Sequence, residues 1–355
     1  EGNAIVIHLT YVPYLAAAGE LKTKPTQHSV KDLLQQGVQP DIIVCRTEHT
    51  LTESVRDKIS LFCNIDRASV IESIDAPTIY EVPFNMLREG LDIQVLKKLG
   101  ISAKGEPDLE KWKSFLYRLK NPLTEVNIGL VGKYVELKDA YKSISEAFIH
   151  AGAATQCKVK IKWIHSEKLE DNPDCIQEEL QGLNGILVAP GFGSRGIEGK
   201  IMAVRYAREN KIPFLGICLG MQCAVIEFAR NVLGYKDAHS VEMSASTTHP
   251  VIDIMEEQKL IQNMGGTMRL GAYPCKLKEN TKIYSAYQKE NISERHRHRY
   301  EFNNAYLEAF EQAGMIASGI NPDTNLVEVV EIPSHPYFVG VQYHPEYRST
   351  VVEPS

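Results

Sequence analysis

The sequence lacks the features that mark membrane proteins, disulfide scaffolds and nucleic-acid-binding proteins. No apolar run approaches the roughly 20 residues that cross a bilayer, and the first residues carry no secretory signal pattern. The seven cysteines are scattered without C-x-x-C spacing, which argues against zinc and redox sites. With 39 basic and 45 acidic side chains the net charge is −6, so no basic excess favours nucleic acid or membrane. These absences favour a cytoplasmic protein of 355 residues with free thiols and room for two domains.

A phosphate-binding loop is also missing. No G-x-x-x-x-G-K-[ST] segment occurs anywhere in the 355 residues. An apolar strand is predicted at residues 4–9, with only three residues before it. Because domains seldom begin so abruptly, we expect the chain to start inside a domain.

Strand patterns alternate with helix patterns, which is typical of parallel α/β sheets. In the first part, strands are predicted at 41–45 and 70–73, a short β-like piece at 78–82, and helices at 29–36 (capped by Ser29), 53–63 and 86–99. Residues 103–124 change character and are predicted to be a linker with one short helix. They separate a domain at 1–102 from a second at 125–355. In the second domain, helices are predicted at 138–152, 168–180, 201–209, 222–229 and 304–313.

The most informative segment is K-I-P-F-L-G-I-C-L-G-M-Q at residues 211–222. A strand predicted at 213–217 leads to Cys218, with Gly216 and Gly220 on either side and a helix following. This pattern is typical of a nucleophile elbow, which lifts one side chain towards a helix N-terminus. The glycines suit close backbone approach, and a helix N-terminus favours a thiolate. An inert core cysteine is the alternative that this segment alone leaves open.

A second segment, V-Q-Y-H-P-E at residues 341–346, supplies candidate partners for Cys218. His344 follows an apolar strand, and Glu346 lies two residues later. A Cys/His/Glu set is suited to nucleophilic acyl transfer through a thioester. Backbone N–H groups of Gly191, in the turn after the predicted strand at 185–188, and of Leu219 could form an oxyanion hole. A plain tight turn is the alternative for the Gly191 segment.

Two basic segments suggest anion binding. Residues 19–29 form a polar loop before a helix, a pattern that suits phosphate, although a solvated loop is the alternative. Arg295, Arg297 and Arg299 alternate with histidines, and in an extended strand all three would lie on one face. One of them could bind an α-carboxylate. A solvated strand face is the alternative for the others.

Taken together, these motifs resemble a known family. The segments at 216–222 and 343–346 resemble those of class I (triad) glutamine amidotransferases. Longer motifs, spread over essentially the whole chain, resemble the CTP synthase family, and they lie at residues 19–30, 39–46, 132–141, 265–271 and 295–301. The resemblance implies a flavodoxin-like glutamine amidotransferase domain with a parallel-sheet core, preceded by a partial Rossmann-like amidoligase domain. It also implies ATP-dependent amination of UTP to CTP, with ammonia from glutamine hydrolysis.

The resemblance assigns roles to individual residues. The triad corresponds to Cys218, His344 and Glu346, and the glutamine-binding positions to Gly191, Leu219, Gln222, Glu242 and Arg297. Lys22, Gln27 and Lys58 match residues that bind UTP or CTP phosphates, and Phe62 and Asp75 match residues that contact ATP. Arg195, in the loop at 193–199, matches the lid that responds to GTP. The implied cofactors are ATP and Mg²⁺, with GTP as activator and CTP as feedback inhibitor. The full-length family enzyme forms homotetramers and filaments.

Two departures from the family qualify this expectation. Family members begin with a further segment that holds a phosphate loop and the magnesium ligands. We therefore expect this chain to lack metal ligands and CTP synthesis, to retain weak glutaminase activity, and to be monomeric or heterogeneous in its assembly. Many relatives also have P-G-G-F-G where this chain has A-P-G-F-G at 189–193. Pro190 has no N–H to donate, so an oxyanion hole must rely on Gly191 and Leu219. The alternatives are a free-standing glutaminase or γ-glutamyl hydrolase, and a non-catalytic assembly or regulatory fragment.

Overall fold

The computed structural model describes residues 3–102, 104–254 and 268–355. These residues form two compact units, Glu1–Glu110 and Lys111–Ser355. Part of one predicted motif, residues 265–267, and Ala103 of the predicted linker lie outside the described residues. None of the helices in the described ranges combines the length and apolar character needed to cross a membrane.

The first unit contains a small parallel sheet. Its strands are β1 (Ile7–Tyr11), β2 (Tyr14–Leu15), β3 (Glu20–Leu21), β4 (Ile42–Thr47) and β5 (Val70–Ile74). Its helices are α1 (Lys24–Gln35), α2 (Glu53–Cys63), α3 (Val82–Arg88) and α4 (Leu91–Lys98). The order β1-β4-β5 is parallel throughout, and β2 pairs with β3 as a hairpin. The alternating strands and helices therefore form the predicted α/β architecture.

Three local predictions in this unit were wrong. Helix α1 begins at Lys24 after Thr23, so Ser29 lies inside the helix and does not cap it. Pro25 sits in the first turn, where its missing N–H costs nothing. The β-like piece at 78–82 is a 3₁₀ turn (Ile79–Glu81) that leads into α3. The single helix predicted at 86–99 is two helices, because Gly90 adopts φ +73° between them.

The second unit is built on a mixed sheet. A first group of strands is β6 (Thr124–Gly132), β7 (Cys157–His165), β8 (Gly185–Val188), β9 (Phe214–Ile217), β10 (His239–Ser240) and β11 (Pro250–Ile254). The later strands are β12 (Arg269–Leu277), β13 (Asn291–His298), β14 (Tyr300–Phe302), β15 (Ile316–Ile320), β16 (Val327–Glu331) and β17 (Phe338–Val341). In the described residues the main sheet has the order β13-β12-β15-β16-β17-β9-β8-β6-β7. The run from β17 to β7 is parallel, which confirms the predicted parallel-sheet core.

Helices cover both faces of this sheet. They are α5 (Glu110–Lys120), α6 (Lys142–Ala154), α7 (Ser166–Asp171), α8 (Ile176–Leu180), α9 (Ile197–Glu209), α10 (Leu219–Asn231), α11 (Lys282–Tyr287) and α12 (Leu307–Ala313). Successive strand residues point to opposite faces, so Ile186 and Val188 join one apolar cluster with α9 and α10. Leu187, between them, joins a second cluster with α6 and α11. Both faces of β8 are therefore buried, as its unbroken apolar run predicts.

Several helix boundaries in this unit differ from the predictions. Helix α10 begins at Leu219, three residues before the predicted start, and α9 begins at Ile197, within the predicted polar loop. The predicted helix at 168–180 is interrupted by a 3₁₀ turn that starts at Pro173, a residue that cannot donate a helical hydrogen bond. The helices predicted at 138–152 and 304–313 each begin as a 3₁₀ turn. These starts matter for function, because α9 and α10 flank the candidate site.

Candidate active site

Three neighbouring parallel strands place the predicted reactive groups together. β9 pairs with β8 on one side and with β17 on the other. Cys218 follows β9, the turn at 190–193 follows β8, and His344 follows β17. The carboxyl ends of parallel strands meet at one edge of the sheet, where α/β proteins commonly bind ligands. Strand order thus unites segments that are far apart in sequence.

Cys218 lies in a strained elbow. Its backbone has φ 54° and ψ −105°, a conformation that a residue other than glycine seldom adopts, and it directly precedes α10. The Cys218 N–H donates to the Val341 carbonyl at 2.7 Å. A Cβ atom on Gly216 would lie 2.6 Å from the Gly220 backbone, and one on Gly220 would lie 2.1 Å from the Val188 carbonyl oxygen. Both flanking glycines are therefore required by close backbone approach.

His344 is held by a buried carboxylate. Its Nδ1 lies 2.7 Å from Glu346 Oε1, and both side chains are less than 5% exposed. The imidazole stacks on the Tyr347 ring, with ring centroids 4.9 Å apart, and the His344 N–H donates to the Arg295 carbonyl at 2.8 Å. These contacts fix the ring orientation. The structure therefore brings His344 and Glu346 into the predicted base–orienter arrangement.

The electrostatic setting of His344 favours its charged form. Burial by itself lowers the pKa of His344, but hydrogen bonding to Cys218 and Glu346, and their negative charge, outweigh burial and raise the pKa to about 10. The imidazole is therefore protonated at neutral pH when the neighbouring sulfur is a thiolate. A thiolate–imidazolium pair combines a nucleophile with a proton donor for a leaving amine.

A small cavity opens beside Cys218. It is lined by Gly191, Phe192, Cys218, Gln222, Glu242, Met268, His298, Arg299 and Tyr300. Among the predicted glutamine-binding residues, Gly191, Gln222 and Glu242 thus share this cavity with the sulfur. Leu219 adjoins it, since its Cδ2 would be 3.5 Å from a Cβ on Gly191. Glu242 also accepts a hydrogen bond from the Gly193 N–H at 3.3 Å, which connects it to the turn after β8.

The three arginines do not share one strand face, contrary to the sequence expectation. Arg295 and Arg297 lie on the exposed face of β13, but the strand ends at His298 and Arg299 follows it. Arg299 lines the cavity, whereas the Arg297 guanidinium lies 5.9 Å from the Phe192 ring centroid. Because β13 ends at His298, Arg299 lies outside the strand that carries the other two arginines.

Two buried lysines beneath the turn were missed by the sequence analysis. Lys200 is fully buried and donates to the Ala189 carbonyl at 2.6 Å. Lys133 donates to the carbonyls of Phe192 and Gly193 at 2.8 and 2.9 Å. Burial lowers the pKa of Lys200 to about 8, and it also lowers the pKa of Lys133. Lys200 lies three residues after Ile197, at a position of α9 that falls among its apolar residues, and this placement of a charged residue was the signal that could have identified it.

Arg195, the predicted lid residue, lies on the surface of this unit. Its Nε is 2.6 Å from Glu167 Oε1, and its guanidinium carbon lies 4.8 Å from the Tyr134 ring centroid. The side chain is 55% exposed. Arg195 is thus ordered by local contacts and does not line the cavity beside Cys218.

Two of the three predicted phosphate-binding residues of the first unit, Lys22 and Lys58, act on one carboxylate, that of Glu20. Lys22 forms an ion pair with Glu20. That hydrogen bond is the main reason why the pKa of Glu20 is lowered, and the charge of Lys58 on α2 adds to the effect. Gln27, in α1, donates to the Thr23 hydroxyl at 3.0 Å. Lys22 and Lys58 are therefore close enough to act on one anion.

The two predicted ATP residues do not share a cavity. Asp75 lines a cavity at the carboxyl end of the small sheet, together with Leu9, Thr10, Tyr11, Pro25, Ser29, Arg46 and Glu48. Phe62 projects from α2, is 61% exposed and does not line it. Across the described ranges, no group of three or more His, Cys, Asp and Glu side chains could hold a metal ion. The described residues therefore do not fit a magnesium ion.

Comparisons with known proteins place the chain in a family. Residues 136–355 match the family described as Glutamine amidotransferase class-I, and residues 1–101 match the CTP synthase N-terminus. The chain is 63% identical over 354 residues to the CTP synthase of Flavobacterium johnsoniae, covering 100% of this chain and 66% of that protein. It is 65% identical over 352 residues to that of Cytophaga hutchinsonii, covering 99% of this chain and 65% of that protein.

A solved structure gives the same result for the second unit. The glutaminase domain of Trypanosoma brucei CTPS, with bound acivicin, is 41% identical with a TM-score of 0.61. The match covers 64% of this chain and 89% of that chain. The chain spans just under two thirds of the length of these curated relatives, 66% and 65%.

Proposed function

Because the chain belongs to the CTP synthase family and carries a class I glutamine amidotransferase domain, we propose that this domain hydrolyses glutamine to glutamate and ammonia. In the whole protein the ammonia would aminate UTP to CTP at the expense of ATP. The observation that carries the glutaminase proposal is the meeting of Cys218, His344 and the turn at 190–193 at the ends of three adjacent strands.

The proposed reaction runs through a thioester. The Cys218 thiolate attacks the side-chain carbonyl carbon of glutamine, and the N–H groups of Gly191 and Leu219 stabilise the oxyanion. His344 donates its proton to the departing ammonia as the C–N bond breaks. It then takes a proton from water, which attacks the thioester; the C–S bond breaks and the thiolate returns. Glu346 keeps the imidazole in the tautomer that faces the sulfur.

The buried lysines support this chemistry from below. Lys133 and Lys200 make three hydrogen bonds to carbonyl oxygens at this turn, those of Phe192, Gly193 and Ala189. A fixed turn keeps its N–H groups directed at the position where the oxyanion develops. Positive charge near that position also favours the anionic transition state. We therefore assign Lys133 and Lys200 as positioning residues.

Substrate recognition follows from the cavity lining. Glu242 would accept hydrogen bonds from the α-ammonium group of glutamine, and Gln222 would contact its polar groups. Arg299 lines the cavity and Arg297 lies over the lining residue Phe192, so these are the two guanidinium groups proposed to meet the α-carboxylate. Charged groups of both signs suit a zwitterionic amino acid.

The nucleotide roles are proposed at the level of single residues. Residues 1–102 would belong to the amidoligase domain, 103–124 to a linker and 125–355 to the glutaminase domain. Lys22, Gln27 and Lys58 would meet UTP or CTP phosphates, since two of them act on one carboxylate. Phe62 and Asp75 would contact ATP, and Arg195 would respond to GTP. The family's homotetramer is proposed for the whole protein.

Removal of the nucleophile tests the glutaminase proposal. In the purified chain, Cys218→Ala should abolish glutamate release and covalent labelling by acivicin, because no sulfur remains to form the thioester. Cys223→Ala is the matched control, since Cys223 is also buried in α10 but its thiol is not in the cavity. Glutamate release by Cys218→Ala at the wild-type rate would refute the assignment.

A further inference from the structure

Gln342, the residue after β17, is a fully buried polar side chain next to the nucleophile. Its backbone N–H donates to the Glu328 carbonyl at 2.8 Å, so the main chain is fixed. Its side-chain Nε2 lies 3.6 Å from the Cys218 sulfur. This is an ordinary separation for a hydrogen bond to sulfur, whose large radius lengthens such contacts. A buried amide requires partners, and one of the partners here is the reacting atom.

The orientation of this amide is set by its neighbours. Gln222 Nε2 lies 2.9 Å from the Tyr300 carbonyl oxygen, which can only accept, so this end of Gln222 must be its NH₂ group. The same NH₂ group lies 3.2 Å from Gln342 Oε1. The oxygen of Gln342 is therefore held by a donor, and its NH₂ group is turned towards the sulfur. A fixed backbone carbonyl thus determines the orientation of both amides.

We propose that the Gln342 side-chain amide donates a hydrogen bond to the Cys218 sulfur and stabilises it as a thiolate, which makes Gln342 a catalytic residue. The role rests on the proposed glutamine hydrolysis, but the contact does not. The Gln342 amide lies within hydrogen-bonding distance of the sulfur and takes no part in the proton transfers proposed for His344. A charged acceptor binds such donors more strongly than a neutral thiol does.

The contact acts at both stages of the reaction. In the free protein it holds the thiolate ready while His344 keeps the proton. When water cleaves the thioester, the C–S bond breaks and its electron pair returns to sulfur. The Gln342 N–H then stabilises the departing thiolate, while His344 alone handles protons. Gln342 is neutral and transfers no proton, so it stabilises charge on sulfur at every pH at which the protein is folded.

The test measures the reactivity of the thiolate directly. Iodoacetamide alkylation of Cys218 is followed against pH, with the Cys218→Ala protein as the background for the other cysteines. In Gln342→Met the side chain keeps its length and loses its donor. The pH midpoint of alkylation should rise by about one unit, which is a tenfold smaller thiolate fraction at a fixed pH below the midpoint. The kcat for glutamine hydrolysis should fall roughly tenfold, with KM less affected.

Two further variants separate this role from packing. Gln342→Glu keeps an oxygen that accepts from Gln222 but replaces the NH₂ donor with a second oxygen. Its pH midpoint of alkylation should therefore rise at least as much as that of Gln342→Met. Val341→Ala removes buried methyl groups from the adjacent position, in the apolar cluster that also contains Cys218, and it leaves the Gln342 amide in place. It should lower the melting temperature and leave the midpoint unchanged. The charged groups that face the sulfur, His344, Glu346, Lys200, Glu242 and Arg299, are unchanged in Gln342→Met and Val341→Ala, whereas Gln342→Glu adds a carboxylate beside the sulfur.

The outcomes are distinguishable. An unchanged midpoint in Gln342→Met and Gln342→Glu overturns the inference, as does an equal rise in Val341→Ala, because loosened packing would then account for the shift. The alkylation assay needs no glutamine. If the midpoint rises in both Gln342 variants but wild-type protein releases no glutamate, the donor role stands and the proposed function fails.

Discussion

Gly220 provides the sharpest test of how the nucleophile is positioned. It lies in the first turn of α10, two residues after Cys218, and packs against β8. A Cβ atom built on Gly220 would lie 2.1 Å from the Val188 carbonyl oxygen and 3.0 Å from the carbonyl carbon. Real Cβ atoms essentially never come within 3.0 Å of another atom of this kind. Gly220→Ala therefore forces a movement between α10 and β8.

Two opposing effects determine the stability of Gly220→Ala. Alanine is favoured over glycine within a helix by roughly 0.8–1 kcal/mol. Overpacking a core costs about 1–3 kcal/mol, and the obstacle here is a backbone carbonyl of a central strand, which cannot rotate aside. Packing should win, with a net loss of up to about 2 kcal/mol. For a domain of this size that corresponds to a melting temperature lower by up to roughly 8 °C.

The effect on catalysis should be larger than the effect on stability. Separating the atoms from 2.1 Å to 3.0 Å requires a shift of about 0.9 Å. Such a shift moves the start of α10, and with it Cys218 and the Leu219 N–H, relative to the turn after β8. A displacement of about 1 Å can cost on the order of 100-fold in rate. We therefore expect kcat/KM for glutamine hydrolysis to fall about 100-fold.

Glutamate release and thermal unfolding are measured together, with Gly182→Ala as the control. Gly182 lies between α8 and β8 with φ +76°, and a Cβ atom there would meet nothing within 4 Å. Its substitution costs about 1–2 kcal/mol of backbone strain and should leave activity intact. If Gly220→Ala keeps kcat/KM within about threefold of wild type while both variants lose similar stability, the close approach at Gly220 does not position Cys218.

Two other substitutions test buried charged groups of the second unit. Glu346→Gln removes the charge 2.7 Å from His344 Nδ1 and should lower kcat roughly 10- to 100-fold. The reason is that a buried charge-assisted hydrogen bond contributes about 1.5–3 kcal/mol. A loss of less than threefold in the rate of glutamate release would contradict the orienting role. Glu301 is buried beside Arg269, and burial raises the pKa of Glu301 to about 8 despite the opposing charge of Arg269. A raised folded-state pKa gives a stability contribution that is present below the unfolded value of 4.5 and lost as pH rises towards 8. Glu301→Gln should therefore flatten the decrease in melting temperature between pH 5 and 8, and identical slopes in the two proteins would show that Glu301 is not protonated in this window.

Much of the architecture could be predicted from local patterns. Helix α2 and strand β8 lie where their apolar periodicity places them. The nucleophile elbow was predicted because its glycines, strand and helix are contiguous in sequence. Errors fell mainly at helix starts, such as α1 and α10, because the first turn of a helix carries no apolar periodicity and depends on capping and packing.

The sequence by itself determined the reactive types: a cysteine on an elbow, a histidine with a nearby carboxylate, and a glycine turn after a strand. Only the tertiary structure decided which groups meet, because the pairing of β8, β9 and β17 joins distant segments. Gln342 reaches the sulfur across 124 residues. Lys200 was missed because nothing in the sequence distinguishes a lysine that will be buried from one on the surface. Its burial depends on how helix α9 packs in the folded protein. Backbone pairing and burial are long-range properties, so they assign partners that local patterns cannot.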